Sequence, residues 1–293
     1  MTERTPDPDA ENALPRLVEP VMIAAFEGWN DAGEAATAAL EYLVRGFEAP
    51  EVGHIDPEEF YDFTAVRPTV SLVDGRSRVI DWPSNKLHAA AVSGADRDLL
   101  LLQGVEPSLR WRTFCDAVVG TARDFGVHMV ITLGALLADV PHTRPVSITG
   151  LASEDGLIGR LGFERSRYEG PTGIVGVLHD ACAKANVASA SLWAAVPHYV
   201  AAAPNPKAAL ALIRRFEGAA GVAVDAGALE EAAEDYERQV SAAVASDPEV
   251  KSFVERLESA IDEVGDVPEE DLPSAETIAR DFQRFLRQRR PEA

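Results

Sequence analysis

The sequence predicts an α/β protein with three layers, α/β/α, around a mostly parallel sheet, followed by a helical appendage. Short apolar segments that end in glycine or polar residues alternate with longer segments of helical periodicity, at the spacing of βαβ units. Beyond Pro206 only helical patterns remain. The chain has 293 residues, of which 46% are hydrophobic, so it is long and apolar enough to bury a sizeable core.

The charge balance excludes several classes of partner. Lys and Arg number 27 against 48 Asp and Glu, a net charge of −21, which disfavours binding to nucleic acid or to an anionic membrane. Neither an 18-residue apolar run nor the apolar core of a signal peptide is found, so we expect a cytoplasmic protein. Cys115 and Cys182 lie in predicted helices and are expected to be buried thiols. No zinc-type spacing occurs, and we expect no metal site and no cofactor.

The first predicted strand, Val21 to Phe26, has six apolar residues, which is typical of a strand buried on both faces. Gly28 permits the turn that follows. Asp31 and Glu34 have the spacing of a capping box, in which Asp31 accepts from a free N–H and Glu34 reaches back. A helix should then run from residue 35 to 43 and end near Gly46.

The next elements form an excursion from the parallel pattern. Residues 51–55 are predicted to be a short strand. Residues 70–72 and 78–82 form a hairpin, since Asp74-Gly75 is typical of a type I′ turn. We expect the hairpin to lie at the sheet edge. Residues 98–104 give the clearest buried strand, an apolar run that ends in glycine.

The second half continues the alternation and then turns helical. Predicted strands cover 129–134, 146–150 and 189–196, a polar loop covers 135–145, and helices cover 109–125, 153–161, 175–184, 207–219, 225–246, 249–264 and 274–289. Residues 227–276 carry 16 acidic and 3 basic side chains, for which a solvated face is the simplest interpretation. The basic last helix could dock on this acidic region, with 266–273 as a linker. We therefore divide the chain into a flexible leader (1–17), an α/β domain (18–220) and an acidic helical region (221–293).

The candidate site lies where the parallel strands end, because ligands of open α/β sheets bind beyond the carboxyl ends of the strands. Histidine beside carboxylate can do acid–base work, and Arg144 can hold an anion. A helix N-terminus near residue 173 could bind an anion. The candidate pocket residues are Glu27, Asn30, Asp31, Glu106, His142, Thr143, Arg144, Thr172, His198 and Tyr199.

Each candidate also has a structural interpretation. Asn30 and Asp31 could only cap a helix. His142 could fasten a loop, and His198 with Tyr199 could pack at an interface. Arg144 could pair with Asp139 or Asp31. The turn at residues 28–33 lacks the lysine and glycine spacing of the known phosphate loops, and no Gly-x-Ser-x-Gly elbow occurs.

Four motifs together resemble the PAC2 family, named for proteasome assembly chaperone 2, and its actinobacterial branch in particular. They are Glu27-Gly28-Trp29-Asn30-Asp31-Ala32-Gly33, Leu133 to Pro145, Gly170-Pro171-Thr172-Gly173-Ile174 and Pro197-His198-Tyr199. The resemblance covers residues 18–220 and implies a fold similar to nucleoside phosphorylases and peptidyl hydrolases. It also implies a homo-oligomer, for which a trimer would suit the fold. It implies no known activity for this branch.

The resemblance favours a protein-interaction or assembly factor, because archaeal and eukaryotic relatives assemble proteasomes. Several relatives dock through a terminal hydrophobic–Tyr–X motif. This chain ends in Arg289-Arg290-Pro291-Glu292-Ala293, so docking by that route is not expected. One alternative is a small-molecule binder or a hydrolase- or phosphorylase-like enzyme that uses the strand-end loops. The other is a self-assembling scaffold that acts through its helical tail.

Overall fold

The computed structural model describes residues 16–152, 155–163, 168–200 and 202–265. Residues 1–15 of the predicted leader, the predicted linker and the predicted basic helix at 274–289 lie outside the described residues. Seven strands form the main sheet: β1 (Val21–Glu27), β2 (Glu51–Ile55), β5 (Asn85–Ala90), β6 (Leu99–Val105), β7 (Met129–Ala138), β8 (Ile148–Ala152) and β9 (Ser189–Pro197). A hairpin is made by β3 (Thr69–Val73) and β4 (Ser77–Asp81). The helices are α1 (Ala35–Gly46), α2 (Trp111–Asp124), α3 (Asp155–Leu161), α4 (Ile174–Lys184), α5 (Pro206–Ala220), α6 (Gly227–Ala245) and α7 (Pro248–Gly265).

The main sheet has a parallel centre and antiparallel edges. Its order is β2-β5-β6-β1-β7-β9-β8, and the four strands from β6 to β9 run parallel. β5 and β2 extend one side antiparallel, and β8 closes the other. β1 therefore pairs with a parallel neighbour on each side, and the polar turn that follows it emerges at the centre of the sheet.

Helices cover both faces of this sheet. Because successive side chains of a strand point to opposite faces, one strand contributes to two cores. On β1, Ile23 belongs to a core shared with α1 and α5, whereas Met22 and Phe26 belong to a second core shared with α2 and α4. Cys115 and Cys182 are buried in the second core, where burial raises the pKa of Cys115 to about 12 and that of Cys182 to about 11. The predicted three-layer α/β/α fold is confirmed.

Most predicted elements are confirmed, and three details are corrected. β5 was not predicted, because Asn85, Lys86 and His88 interrupt its apolar pattern, although Asn85 and Leu87 are buried. β7 continues to Ala138, through the first residues of the predicted polar loop, since residues 135–138 stay paired to β9. The hairpin does not lie at the edge of the main sheet but forms a separate two-stranded sheet.

The hairpin itself is built as its turn sequence predicts. Asp74 and Gly75 have φ values of 52° and 67°, as a type I′ turn requires. Arg76 donates its N–H to the carbonyl of Val73 over 3.1 Å. All ten residues of β3 and β4 are exposed.

The helices after Gly221 pack on the α/β layers. Val222 and Leu229 are part of the same core as α1 and α5, and Val254 of α7 is also buried. Tyr42 of α1 donates its hydroxyl proton to the carbonyl of Asp225 over 2.8 Å. In the portion of the chain that the structure describes, no helix combines the length and apolar character needed to span a bilayer.

Candidate functional site

The first group of candidate residues, which we call the turn cluster, lies where β1 and β6 end and α4 begins. It consists of Glu27, Trp29, Asn30, Asp31, Glu106, Thr172 and Gly173. The Glu106 carboxylate accepts the N–H of Ile174 over 2.8 Å and, more weakly, that of Trp29 over 3.4 Å. One side chain thus fastens the first turn of α4 to the loop after β1. The carboxylate thereby binds the N–H of Ile174, which has no partner within the helix because it lies in the first turn.

Asn30 and Gly173 meet in the buried centre of the turn cluster. The backbone of Asn30 is fixed to β7, because its carbonyl accepts the N–H of Ala135 over 2.8 Å. Its side-chain Oδ1 is buried and has no hydrogen-bond partner among the described residues. A Cβ atom on Gly173 would lie 1.9 Å from that oxygen and 2.8 Å from Oε1 of Glu106. A side chain at 173 would therefore require Asn30 or Glu106 to move.

Asp31 caps α1, but not by the predicted capping box. Its carboxylate accepts the N–H of Ala36 over 2.7 Å, the N–H of Thr37 over 3.4 Å and the hydroxyl of Thr37. The chain makes a single 3₁₀ turn at residues 32–34, and Glu34 takes a positive φ of 50° and does not cap the helix with its side chain. The carboxylate of Asp31 therefore binds N–H groups that lie further along the chain than those of a capping box. Burial raises the pKa of Asp31, and these hydrogen bonds oppose the rise.

Glu27 and Trp29 form the outer side of the turn cluster. Partial burial raises the pKa of Glu27, and the nearby carboxylates of Asp31 and Glu34 add to the effect. The indole of Trp29 is 54% exposed. Thr172 is exposed as well, and its hydroxyl donates weakly to the carbonyl of Gly173 over 3.4 Å. A raised pKa suits a carboxyl group to proton transfer. The charged groups that act on Glu27, however, are all acids, and the carboxylate of Asp31 is bound to backbone N–H groups and to the hydroxyl of Thr37.

The second group, which we call the junction cluster, lies between the sheet and the C-terminal helices. It consists of His142, Thr143, Arg144, His198 and Tyr199. The Tyr199 hydroxyl accepts the backbone N–H of His142 over 2.8 Å and lies 2.8 Å from Nδ1 of the same residue. Nε2 of His142 lies 3.0 Å from Oγ of Ser241 on α6. We assign Tyr199 as the donor to Nδ1, which makes Nε2–H the donor to Ser241. In this arrangement Nε2 cannot accept the hydroxyl proton of Ser241, so His142 is not a general base for it.

Partly exposed charged groups lie beside His142. Lys207 of α5 donates to the carbonyl of His142 and forms an ion pair with Glu237 of α6. Burial lowers the pKa of His142, while Glu237 acts in the opposite direction. His142 is only 4% exposed and is therefore closed to a substrate. Its hydrogen bonds join three elements of the structure.

Arg144 and Thr143 hold α7. The guanidinium of Arg144 makes a two-pronged contact with Asp262, with N–O distances of 2.8 and 2.7 Å, and lies 3.5 Å from a carboxylate oxygen of Glu258. Thr143 donates its hydroxyl proton to the same Glu258. The predicted pairing of Arg144 with Asp139 or Asp31 is therefore wrong. The nearer acids are on a helix more than a hundred residues later in the chain.

His198 and Tyr199 complete the junction. His198 Nδ1 lies 3.0 Å from the carboxylate of Asp139. Both rings pack edge-to-face on Phe253 of α7, with centroid distances of 5.6 Å for His198 and 5.9 Å for Tyr199. Both side chains therefore pack against α7 of their own chain.

The ten candidates thus belong to two groups, each with its own hydrogen bonds, rather than to one convergent pocket. Two cavities in the described residues lie elsewhere. One, of about 210 Å³, lies between β2 and α2 and is lined by Leu87 and Phe125; the other, of about 280 Å³, lies beside Phe47 and Val224. Within the described ranges no three His, Cys, Asp or Glu side chains are placed to hold a metal ion.

Sequence reasoning missed the partners on the C-terminal helices. Ser241, Glu258 and Asp262 hold the junction cluster, yet they lie in a region read as a solvated acidic face. Their local pattern does not distinguish them from the acids beside them. The sequence feature that could have indicated these partners was the excess of acidic over basic side chains in residues 227–276. Acids without a basic neighbour in the sequence are available to pair with distant cations.

These features define a three-layer α/β/α protein whose strand-end polar groups mostly join its elements to one another. The sequence model of the PAC2 family matches residues 25–244, and the chain belongs to this family. The family resemblance read from the four motifs is thereby confirmed.

Solved structures of family members support the assignment. A PAC2 family protein from Streptomyces avermitilis is 47% identical, with a TM-score of 0.76 over 80% of this chain and 99% of that one. A proteasome-assembly chaperone homologue from Mycobacterium tuberculosis is 45% identical, with a TM-score of 0.74 over the same shares. A Pyrococcus furiosus archaeal proteasome activator shares the fold at 18% identity and a TM-score of 0.62, over 79% of this chain and 96% of that chain. A search of curated proteins gives no match.

Proposed function

We propose that this protein is a cytoplasmic protein-interaction factor that assists assembly of a proteasome-type complex. The observation that carries this proposal is the β3–β4 hairpin. Ten large hydrophobic side chains are exposed in the described residues, and six of them lie in or directly after the hairpin. They are Val70, Leu72, Val73, Val79, Ile80 and Trp82. Concentrated exposed apolar surface is typical of protein-binding sites.

The names of two relatives support the partner class. The Mycobacterium tuberculosis relative is a proteasome-assembly chaperone homologue, and the more distant Pyrococcus furiosus protein is a proteasome activator. The hairpin offers a route to such a partner that needs no terminal docking motif. Its first face carries Val70, Leu72 and Ile80 with Arg78 beside them, because Val70 pairs with Ile80, Leu72 pairs with Arg78, and paired residues share a face.

The test is a reconstitution with purified proteasome α and β subunits from an actinobacterium. Assembly intermediates are resolved on native gels with the wild-type protein, with a Leu72→Ser/Ile80→Ser double variant and with Leu109→Ser. Leu109 is 49% exposed but lies outside the hairpin, so it controls for loss of any exposed apolar side chain. We expect the wild type and Leu109→Ser to join an assembly intermediate and the double variant to be absent from it. Equal behaviour of all three proteins, or no binding by any, contradicts the proposal.

A further inference from the structure

The β3 edge of the hairpin has unusual properties for an edge strand. Proteins usually protect such edges with charged side chains, proline or bulges, because the free backbone groups can pair with another strand. β3, Thr69-Val70-Ser71-Leu72-Val73, has no charged residue and no proline, and its pairing with β4 is regular. β4 carries Arg78 and Asp81. The less protected edge of the hairpin is therefore β3.

We infer that β3 pairs with β3 of a second copy of this chain, antiparallel about a two-fold axis through Ser71, so that the two hairpins form one four-stranded sheet. The inference rests on the proposed function, in which the hairpin is the protein-binding surface, and it assigns the hairpin's edge to a second copy. The apolar faces of the joined sheet remain for the other partner.

The β3 sequence is self-complementary in this arrangement. Pairing about Ser71 puts Val70 opposite Leu72 of the second copy, Thr69 opposite Val73, and Ser71 opposite its own counterpart. The face that carries Val70, Leu72 and Ile80, together with Arg78 opposite Leu72, then continues across the two-fold axis into the matching face of the other hairpin. Residues on this face are highly exposed in one chain, with Val70 and Leu72 both at 62% and Ile80 at 53%.

Charge explains why a second copy would meet at this place. The chain as a whole carries −21, so most approaches between two copies bring acidic surfaces together. Residues 67–82 carry three arginines and two aspartates, and β3 itself carries no charge. Repulsion between copies is therefore weaker at the hairpin than the net charge of the whole chain implies. A contact between two five-residue strands is small for an interface, so we expect association that depends on concentration.

Two variants of Ser71 test the pairing in the full-length protein. Ser71→Lys and Ser71→Glu each place like charges directly opposite one another across the axis, which destabilises an antiparallel pair. Each variant alone should raise the dimer dissociation constant roughly tenfold or more, measured by sedimentation velocity over a range of concentrations. An equal mixture of the two should associate at least as well as wild type, because Lys then faces Glu. Ser77→Lys, on the exposed β4 strand of the same hairpin, should leave association unchanged.

Recovery by the mixture separates the inference from misfolding, since both variants must be folded to pair. A wild-type protein that stays monomeric at all concentrations overturns it, as do single variants that associate like wild type or a mixture that fails to recover. Binding of proteasome subunits by the Leu72→Ser/Ile80→Ser variant is scored in a separate assay. The proposed function can thus survive when this inference fails, and the reverse also holds.

Discussion

The turn cluster and the junction cluster are both built from polar residues at strand ends, but they hold the protein together by different means. In the turn cluster, Asn30, Gly173 and Glu106 are fitted by close steric contact and by hydrogen bonds to backbone N–H groups. In the junction cluster, Arg144 and Thr143 bind acids of α7 near the surface. The difference implies that the first depends on shape and the second on ionic conditions.

The largest effect is expected from Gly173→Ala. The added methyl group would lie within 2 Å of Asn30 Oδ1, and the φ of Gly173 is an ordinary −97°, so the cost is steric rather than conformational. We expect a loss of about 2–3 kcal/mol in the free energy of unfolding, measured by urea denaturation. Gly120→Ala is the matched control, because a Cβ there meets nothing within 4 Å in the middle of α2. It should raise stability by roughly 0.5–1 kcal/mol. Similar effects of the two changes would contradict the close packing at Gly173.

An intermediate effect is expected from pH at His142. Burial lowers its pKa below the ordinary value of 6.5, so the unfolded chain binds the proton more readily than the folded protein. Stability is therefore full above about 6.5 and is lost as the pH falls toward the folded pKa, by up to about 1.4 kcal/mol per pH unit. His179 has a pKa lowered in the same way, so the measurement compares wild type with His142→Gln. The variant should lose part of the slope between pH 6.5 and 5. An unchanged slope would show that His142 does not titrate as its surroundings indicate.

The smallest effect is expected from Arg144→Ala. Its partner Asp262 is more than half exposed, and ion pairs of that kind contribute about 1 kcal/mol or less. We expect a small drop in melting temperature at low salt that nearly vanishes at high salt. Hydrogen exchange should rise in α7 and not in α1 or α4. An effect as large as that of Gly173→Ala, or one that salt leaves unchanged, would contradict a surface ionic attachment.

The sequence predicted the parts of the molecule that depend on local pattern. Apolar runs such as Leu99 to Leu102 identified the parallel strands, and Asp74-Gly75 identified the hairpin turn. β5 escaped prediction, because Lys86 and His88 are tolerated where one face of a strand is open. The site was predicted as one pocket because the topology brings the ends of parallel strands to one edge. Whether those side chains point at a ligand or at α7 depends on long-range partners such as Asp262, which no local pattern reveals.

The proposed function places the functional surface on the hairpin rather than at the strand ends. The most direct measurement is a fluorescence titration of labelled proteasome subunits against three proteins: wild type, Leu72→Ser/Ile80→Ser and Glu106→Gln. We expect the hairpin variant to bind roughly tenfold or more weakly, while Glu106→Gln binds like wild type. Weaker binding by Glu106→Gln together with wild-type affinity of the hairpin variant would contradict this placement and would move the functional surface to the turn cluster.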